Sequence, residues 1–394
     1  MTRAEKRCWD WIIQHRLKFL IAVSTLLSLW ARYGLRTIVS GDMQSCLLPW
    51  YDVIDSLGGI KALSVQIGNY NIPYQTAIAL LTYLPIIPIY AYKGLSIFFD
   101  YALGVAVAAG VYELTKNRTK ACVSYTAVIM LPTVLLNSAA WGQCDSIFTF
   151  FMVASFVLLM KNRYPAAFLM YGCSFAFKLQ AVFFLPFLIF YYVWSRKISI
   201  LHFLLALIPI IVLSLGALLQ GRSISSLFTV YQDQIIAEEP KISWNYPSFW
   251  LLLVKNFTFD GSDHYQEVYP LCIAVTVILL GLIMLCFIRR EKMDSAALLL
   301  TAAWMLYTCV FFLPSMHDRY AYPAVIFILF ACFVKPELIP AALGLLFLET
   351  EIYASGLLFK TPLSWELKSL VNLACYAGVA FITVRSAGRQ EELR

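Results

Sequence analysis

The sequence has few charged residues. They make up only 13% of its 394 residues, whereas 61% are hydrophobic, and the mean hydropathy is +0.73. A soluble domain of this length must cover its surface with polar side chains, and this composition cannot supply them. A soluble globular protein is therefore excluded, and lipid must be the solvent for much of the chain.

The sequence also lacks a cleavable signal peptide, a disulfide framework and metal-ligand spacing. Residues 1–16 combine several bases with Trp9 and Trp11, which predicts an amphipathic cytosolic lead-in. The ten cysteines are scattered, and most lie inside apolar runs, where they are typical of small core residues. No metal-binding residues are predicted.

The net charge of +7 does not indicate a nucleic acid or another acidic partner. The bases lie mostly in short connections between apolar runs, for example in Lys116–Lys120, and this distribution is a signal of topology. It predicts one integral membrane domain over residues 1–394, with about twelve spans and both termini in the cytosol. The spans are predicted near Leu17–Val39, Gly94–Leu114, Ala121–Ala140, Ile147–Met160, Tyr164–Phe177, Ala181–Trp194, Ile200–Leu219, Val268–Ile288, Ala296–Leu313, Ala321–Val334, Leu338–Leu348 and Leu367–Val384.

The remaining polar residues fall on the opposite, outer side of the predicted membrane. Residues 40–93 form a first outer loop, residues 220–267 a second long one, and a further outer loop is expected near Glu349–Trp365. If Tyr74–Tyr92 spanned the membrane, the basic turns would lie outside. We therefore predict that it is a proline-broken helix in the outer leaflet. A functional site is expected among these outer groups.

Two carboxylates approach that site from separate outer loops. Asp42 follows the first span, and Asp145 lies in a polar turn with Trp141 and Gln143. Acids at a membrane boundary invite a functional interpretation, in which one accepts a proton from a hydroxyl and the other positions a reacting group. The structural alternatives are a helix-ending polar residue for Asp42 and an N-cap for Asp145, with Trp141 as an interface anchor.

Asp100 is a further acid, inside an apolar span near its outer end. A lone buried carboxylate needs a partner, and Lys93, Arg32 or Arg36 could supply one. A structural ion pair and a role in the site are both open.

Cations suited to phosphate occur in two outer segments. Lys178 and Gln180 interrupt a long apolar stretch, and His317, Arg319 and Tyr320 follow one another closely in a later turn. An arginine fork and a lysine ammonium could together hold a phosphate or pyrophosphate at the head of a lipid. The alternatives are a salt bridge from the arginine to an acid nearby and an ordinary polar turn for the histidine.

In their order along the chain, these residues resemble a known family. Asp42 after the first span, Asn71–Tyr74, Trp141–Asp145 (WGQCD), Phe177–Gln180 (FKLQ) and His317–Tyr320 (HDRY) are similar to motifs of the bacterial relatives of the GPI mannosyltransferases. These enzymes belong to the GT-C superfamily of membrane glycosyltransferases. The resemblance extends from about Asp42 to Tyr322, which is most of the chain.

The resemblance implies an all-α GT-C fold with outer-face juxtamembrane helices in a bacterial cytoplasmic membrane. It also implies inverting transfer of mannose or another hexose from a polyprenyl-phosphate donor on the non-cytosolic face. Asp42 would be the catalytic acid of the first loop and Asp145 the acid of the second. The first loop has this single acid where the family has an acid pair, so a divalent metal remains an open possibility.

We therefore predict a membrane glycosyltransferase with a lipid-linked sugar donor, a glycan or glycolipid acceptor and surrounding membrane lipid as its partners. The predicted site residues are catalytic Asp42 and Asp145, donor phosphate-binding Lys178, His317, Arg319 and Tyr320, and substrate-binding Asp100, Trp141, Gln143 and Gln180. Two alternatives remain open. A secondary transporter also has about twelve spans, and a lipid-carbohydrate ligase or polymerase would share the outer arginine.

Overall fold

A computed structural model describes residues 1–236, 241–253, 263–358 and 363–392, and these are almost entirely helical. Parts of the second outer loop (237–240 and 254–262) and of the loop predicted near Glu349–Trp365 (359–362) lie outside the described residues. The α-helices are α1 Arg3–Gln14, α2 Arg16–Leu35, α3 Leu48–Ser56, α4 Ile72–Leu81, α5 Pro88–Thr115, α6 Arg118–Met130, α7 Pro132–Leu135, α8 Asp145–Met160, α9 Tyr164–Phe177, α10 Leu185–Ser195, α11 Leu201–Leu205, α12 Leu207–Leu213, α13 Leu215–Leu219, α14 Ser226–Ile236, α15 Asp263–Ile288, α16 Ser295–Phe312, α17 Tyr322–Cys332, α18 Ile339–Leu358 and α19 Trp365–Glu392.

Shorter elements connect these helices. Two π-helical turns are Met43–Leu47 and Leu136–Trp141, and four 3₁₀ helices are Gly59–Ser64, Leu179–Phe184, Phe249–Leu252 and Pro336–Leu338. Strands β1 (Ser243–Trp244) and β2 (Met316–His317) pair in parallel and join the second outer loop to the turn before α17.

Five helices are long and apolar enough to cross a membrane: Pro88–Thr115, Gln266–Ile288, Ser295–Phe312, Pro336–Leu358 and Trp365–Ser386. Two bent pairs could each add a span, α1 with α2 at 85° and α6 with Pro132–Trp141 at 48°. The all-α membrane fold is therefore confirmed. The count of about twelve spans is not confirmed, because several predicted runs form helices too short to cross a bilayer alone.

Three local predictions are corrected by the structure. Residues 88–92 open α5, because Pro88 lies in the first turn, where a proline favours helix initiation, so only α4 lies before the break. The run Ile200–Leu219 is three short helices, α11 to α13. The predicted loop near Glu349–Trp365 begins too early, because α18 continues to Leu358 through residues that favour helix.

The core of the protein forms around α8, α16 and α17, which are buried along most of their length. Helix α5 packs between α6 and α8, and α8 packs on α9. In lipid, such helices associate mainly through close side-chain packing. This packing aligns the ends of α5, α8 and α9, and so sets which connecting segments lie together.

Two groups of connecting segments lie at opposite ends of this bundle. At one end, Glu113 in the last turns of α5 pairs with Lys116 at 2.8 Å and with Lys161 after α8 at 3.6 Å. Asp145 begins α8, a helix of 16 residues and therefore about 24 Å long. Asp145 thus lies at the end of the bundle away from these basic turns.

Candidate functional site

Asp145 is fully buried and has a partner for each carboxylate oxygen. Lys178 Nζ lies 2.5 Å from Oδ1, and Asn137 Nδ2 donates to Oδ2 at 2.8 Å. Lys178 has extended backbone between α9 and the following 3₁₀ helix, so the chain leaves the helix where its side chain reaches the acid. The N-cap alternative for Asp145 is wrong, because Cys144 occupies that position.

Asp42 lies where the chain enters the first π-helical turn, and 42% of its side chain is exposed. Three groups donate to the same oxygen, Oδ2: Trp141 Nε1 at 3.0 Å, Gln143 Nε2 at 2.8 Å and an Arg319 guanidinium nitrogen at 2.8 Å. Among the described residues, Oδ1 accepts no hydrogen bond. The carboxylate is therefore held in one orientation with one oxygen available to accept a proton.

Arg319 is surrounded by acids and an aromatic face. Besides Asp42, it contacts Asp318 at 3.4 Å, and it lies over the Trp141 ring at 4.9 Å from the centroid. Burial lowers the pKa of Arg319, but Asp318 and Asp42 raise it more, so the guanidinium stays charged. Burial also raises the pKa of Asp318, against the opposing effect of Arg319. The salt-bridge alternative for Arg319 is thus what the structure shows.

Gln143 connects the two ion pairs of the site, Asp42–Arg319 and Asp145–Lys178. Its amide donates to Asp42, its carbonyl accepts from the Tyr70 hydroxyl at 2.6 Å, and it lies two residues before Asp145. Desolvation raises the pKa of Tyr70 well above its usual value; its charged neighbours are Arg319, Asp145 and Asp42. Both pairs therefore belong to one site.

The turn after α16 forms one side of this site, and the second outer loop holds it in place. The His317 ring stacks on Trp244 of β1, with centroids 5.2 Å apart and planes at 7°. The Tyr320 ring lies 4.9 Å from that of His317 and 5.9 Å from Lys178 Nζ. The β1–β2 pairing thus places His317 and Tyr320 beside the Asp145–Lys178 pair.

The structure brings together eight of the ten predicted site residues: Asp42, Trp141, Gln143, Asp145, Lys178, His317, Arg319 and Tyr320. Asp100 lies instead in a fully buried ion pair with Arg32, whose Nη2 is 2.8 Å from Oδ2. Of the two alternatives for Asp100, this geometry supports the structural ion pair. Gln180 is half-buried in the 3₁₀ helix after α9, and its side chain makes no hydrogen bond within the described ranges.

Sequence reasoning missed three residues that hold the site, namely Asn137, Tyr353 and Tyr70. Asn137 donates to Asp145 and also to the Tyr353 hydroxyl at 2.9 Å, and Tyr70 holds Gln143. The available signal was weak. Asn137 is a single amide in an apolar run, and Tyr70 lies among other polar and aromatic residues of the first outer loop.

The described residues contain no group of three or more His, Cys, Asp or Glu side chains that could hold a metal ion. Asp42 and Asp145 each bind a basic side chain of the protein. The donor set therefore does not fit a divalent metal shared by the two acids.

Comparison with known proteins identifies the family. The model of glycosyltransferase family 87 matches residues 70–315, a range that includes Asp145 and Lys178 and excludes Asp42 and Arg319. No curated protein matches the chain. The match confirms the resemblance to membrane glycosyltransferases and is not what a transporter would give; bacterial origin and a relation to the GPI enzymes remain predictions. Because the match covers more than half of the chain, the protein belongs to glycosyltransferase family 87, a family of the GT-C type.

Proposed function

We propose that this glycosyltransferase moves a hexose from a polyprenyl-phosphate donor to a hydroxyl acceptor on the non-cytosolic face of the membrane. The proposal is supported by the position of the site, at the end of the bundle away from the basic turns around Glu113. Short basic turns favour the cytosolic side. A lipid-linked donor fits a site at the boundary of a membrane protein, since its sugar and its lipid require different solvents.

Asp42 is proposed as the base of an inverting transfer. Its free Oδ1 takes the proton of the acceptor hydroxyl while that oxygen attacks the anomeric carbon. The bond from this carbon to the phosphate oxygen breaks on the opposite face, and its electron pair leaves with the polyprenyl phosphate. The observation that carries the proposal is the triple hydrogen bond to Oδ2, which fixes the carboxylate and leaves Oδ1 for the proton.

Lys178 and Arg319 are proposed to stabilise the charge that grows on the leaving phosphate, with His317 and Tyr320 beside them. Each cation is paired with an acid in the structure. An ammonium has three donors and a guanidinium has five, so both can bind phosphate without releasing the acid. Fixed cations at a developing charge stabilise a transition state by several kcal/mol.

The remaining residues are proposed to position the substrates. Gln143 and Trp141 keep Asp42 in place, and Asp145 holds Lys178. The resemblance to GPI mannosyltransferases favours mannose as the sugar and a glycan or glycolipid of the cell envelope as the acceptor.

The test is the activity of Asp42→Asn in reconstituted vesicles supplied with a polyprenyl-phosphate hexose and candidate acceptors. Loss of a general base should lower the rate about 10²–10⁴-fold, measured as release of free polyprenyl phosphate and as sugar on the acceptor. The matched control is Asp55→Asn, an exposed acid on α3, which should act at the wild-type rate. Transfer by Asp42→Asn at that rate would refute the assignment.

A further inference from the structure

A second feature lies at the end of the bundle away from the site. An open cavity of about 300 Å³ is lined by side chains of α6, α17, α18 and their connections. Its described lining is apolar apart from Lys120. We call this cavity the α6–α18 groove.

The α6–α18 groove has the depth of one membrane leaflet. Lys120 lies in the first turn of α6, whereas Leu131 follows the last residue of that helix, which places them about 16 Å apart along its axis. On α17 the lining extends from Val325 to Cys332, about 10 Å. The hydrocarbon core of a bilayer is about 30 Å thick. The groove therefore runs from the membrane boundary towards its middle.

Lys120 supplies a charge at the end of this groove that lies at the membrane boundary. Its side chain is half-buried, and its ammonium has no acidic partner among the described residues. Lys116, which ends α5 in the basic turn Lys116–Lys120, differs because it pairs with Glu113 at 2.8 Å and does not line the groove. A cation at the headgroup level attracts anionic lipid, and an apolar channel below it suits an acyl chain.

We propose that the α6–α18 groove binds one acyl chain of an anionic phospholipid, whose phosphate contacts Lys120. This lipid is distinct from the sugar donor. The donor phosphate belongs beside Lys178 and Arg319 at the other end of the bundle, so the two lipids occupy opposite leaflets. The groove is thus a second lipid site, with a structural ligand rather than a substrate.

The test is lipid binding to the full chain in detergent, measured by native mass spectrometry. Phosphatidylglycerol and phosphatidylcholine with identical acyl chains are titrated separately. The wild type should bind phosphatidylglycerol about fivefold more tightly, the ratio that one lysine near a membrane surface supplies. Lys120→Gln should abolish this preference. Ala342→Phe places a ring among the groove-lining residues. It should weaken the binding of both lipids, each at least about fivefold.

Lys116→Gln is the matched control, because it removes the same charge from the same turn without altering the groove. It should keep the wild-type preference. Two results would overturn the proposal: equal binding of the two lipids by the wild type, or equal losses in Lys116→Gln and Lys120→Gln. The second would show attraction by overall surface charge. Unchanged binding in Ala342→Phe would place the acyl chain elsewhere and would also overturn it.

Discussion

At the residue scale, the orientation of Asp42 depends on Tyr70, a side chain that reaches it through Gln143. Tyr70 donates to the carbonyl of Gln143, and the amide of Gln143 donates to Asp42. A primary amide has one acceptor end and one donor end, so this pair of bonds fixes which end faces the acid. Tyr70 is therefore a positioning residue for the proposed base.

Tyr70→Phe should lower the rate of sugar transfer about fivefold, because a hydrogen bond of this kind contributes about 1 kcal/mol. The effect should fall mainly on kcat, since Gln143 then holds Asp42 less firmly while the substrate contacts persist. Steady-state kinetics in reconstituted vesicles measure it. Tyr74→Phe is the control, because its ring packs on Tyr70 at 4.8 Å while its buried hydroxyl has no described partner. Equal losses in both variants would contradict the role given to Tyr70.

The charged site residues could be predicted from the sequence because charge is rare in a chain of this kind. Asp42, Asp145, Lys178 and Arg319 interrupt apolar sequence, and such residues in membrane proteins are mostly functional. Asn137 could not be predicted in this way, since a neutral amide in an apolar run is common. The sequence left two roles open for Asp100, because its position along a span does not show that it faces Arg32.

At the scale of an element, the bend after α6 is stabilised by a buried ion pair. Pro132 lacks the N–H that would continue the helix, and the chain bends by 48° there. In the last turn of α6, the carbonyl of Ile129 accepts from Arg32 at 2.9 Å, and Arg32 pairs with Asp100. Asp100 also accepts from Ser138 at 2.5 Å, in the π-helical turn that carries Asn137 and Trp141. The ion pair thus supports the segment behind the site.

Asp100→Asn should destabilise the protein by about 3–5 kcal/mol, because it leaves the buried Arg32 charge without its counterion. Thermal unfolding in detergent measures the loss. Glu113→Gln on the same helix is the control. Its pairs with Lys116 and Lys161 are partly exposed, and such pairs contribute about 0–1 kcal/mol. A decrease in Tm no larger than that of Glu113→Gln would show that the Arg32–Asp100 pair does not hold the bend.

The elements themselves were predictable where charge bounds them. The predicted Tyr164–Phe177 has the bounds of α9, which lies between Arg163 and Lys178. Ile200–Leu219 contains no charged residue, so hydropathy shows no break between α11, α12 and α13. Glu349 misled the prediction in the opposite way. Its charge indicated a loop, yet it is fully buried inside α18. Hydropathy averaged over neighbouring residues cannot distinguish a buried acid inside a helix from an acid in a loop.

At the scale of the whole molecule, charge is separated between the two ends of the bundle. The acids and cations of the site lie at one end, and the Glu113–Lys161 contact and Lys120 lie at the other. The sequence could predict this separation, because it depends on which turns are basic. The number of spans could not be counted in the same way. Two helices joined by a bend can cross the membrane as one span, and the sequence does not show which helices are joined in this way.

This separation predicts that the two ends are accessible from opposite sides of the membrane. Ser45→Cys lies close to Asp42, and Asn117→Cys lies in the basic turn before α6; both positions are exposed. Each is introduced into a chain whose accessible and half-buried cysteines are replaced by serine, namely Cys8, Cys46, Cys122, Cys173 and Cys286. An impermeant maleimide is then added to sealed vesicles of known orientation, and labelling is measured by mass.

Short basic turns remain on the cytosolic side. The maleimide should therefore label Ser45→Cys from the non-cytosolic side, and Asn117→Cys only after the vesicles are permeabilised. The unmutated background, without either new cysteine, is the control for the buried cysteines that remain. Labelling of both positions from one side would contradict the separation of the two ends. Exchange of the two patterns would place Asp42 on the cytosolic side, where the proposed lipid-linked transfer would have to be abandoned.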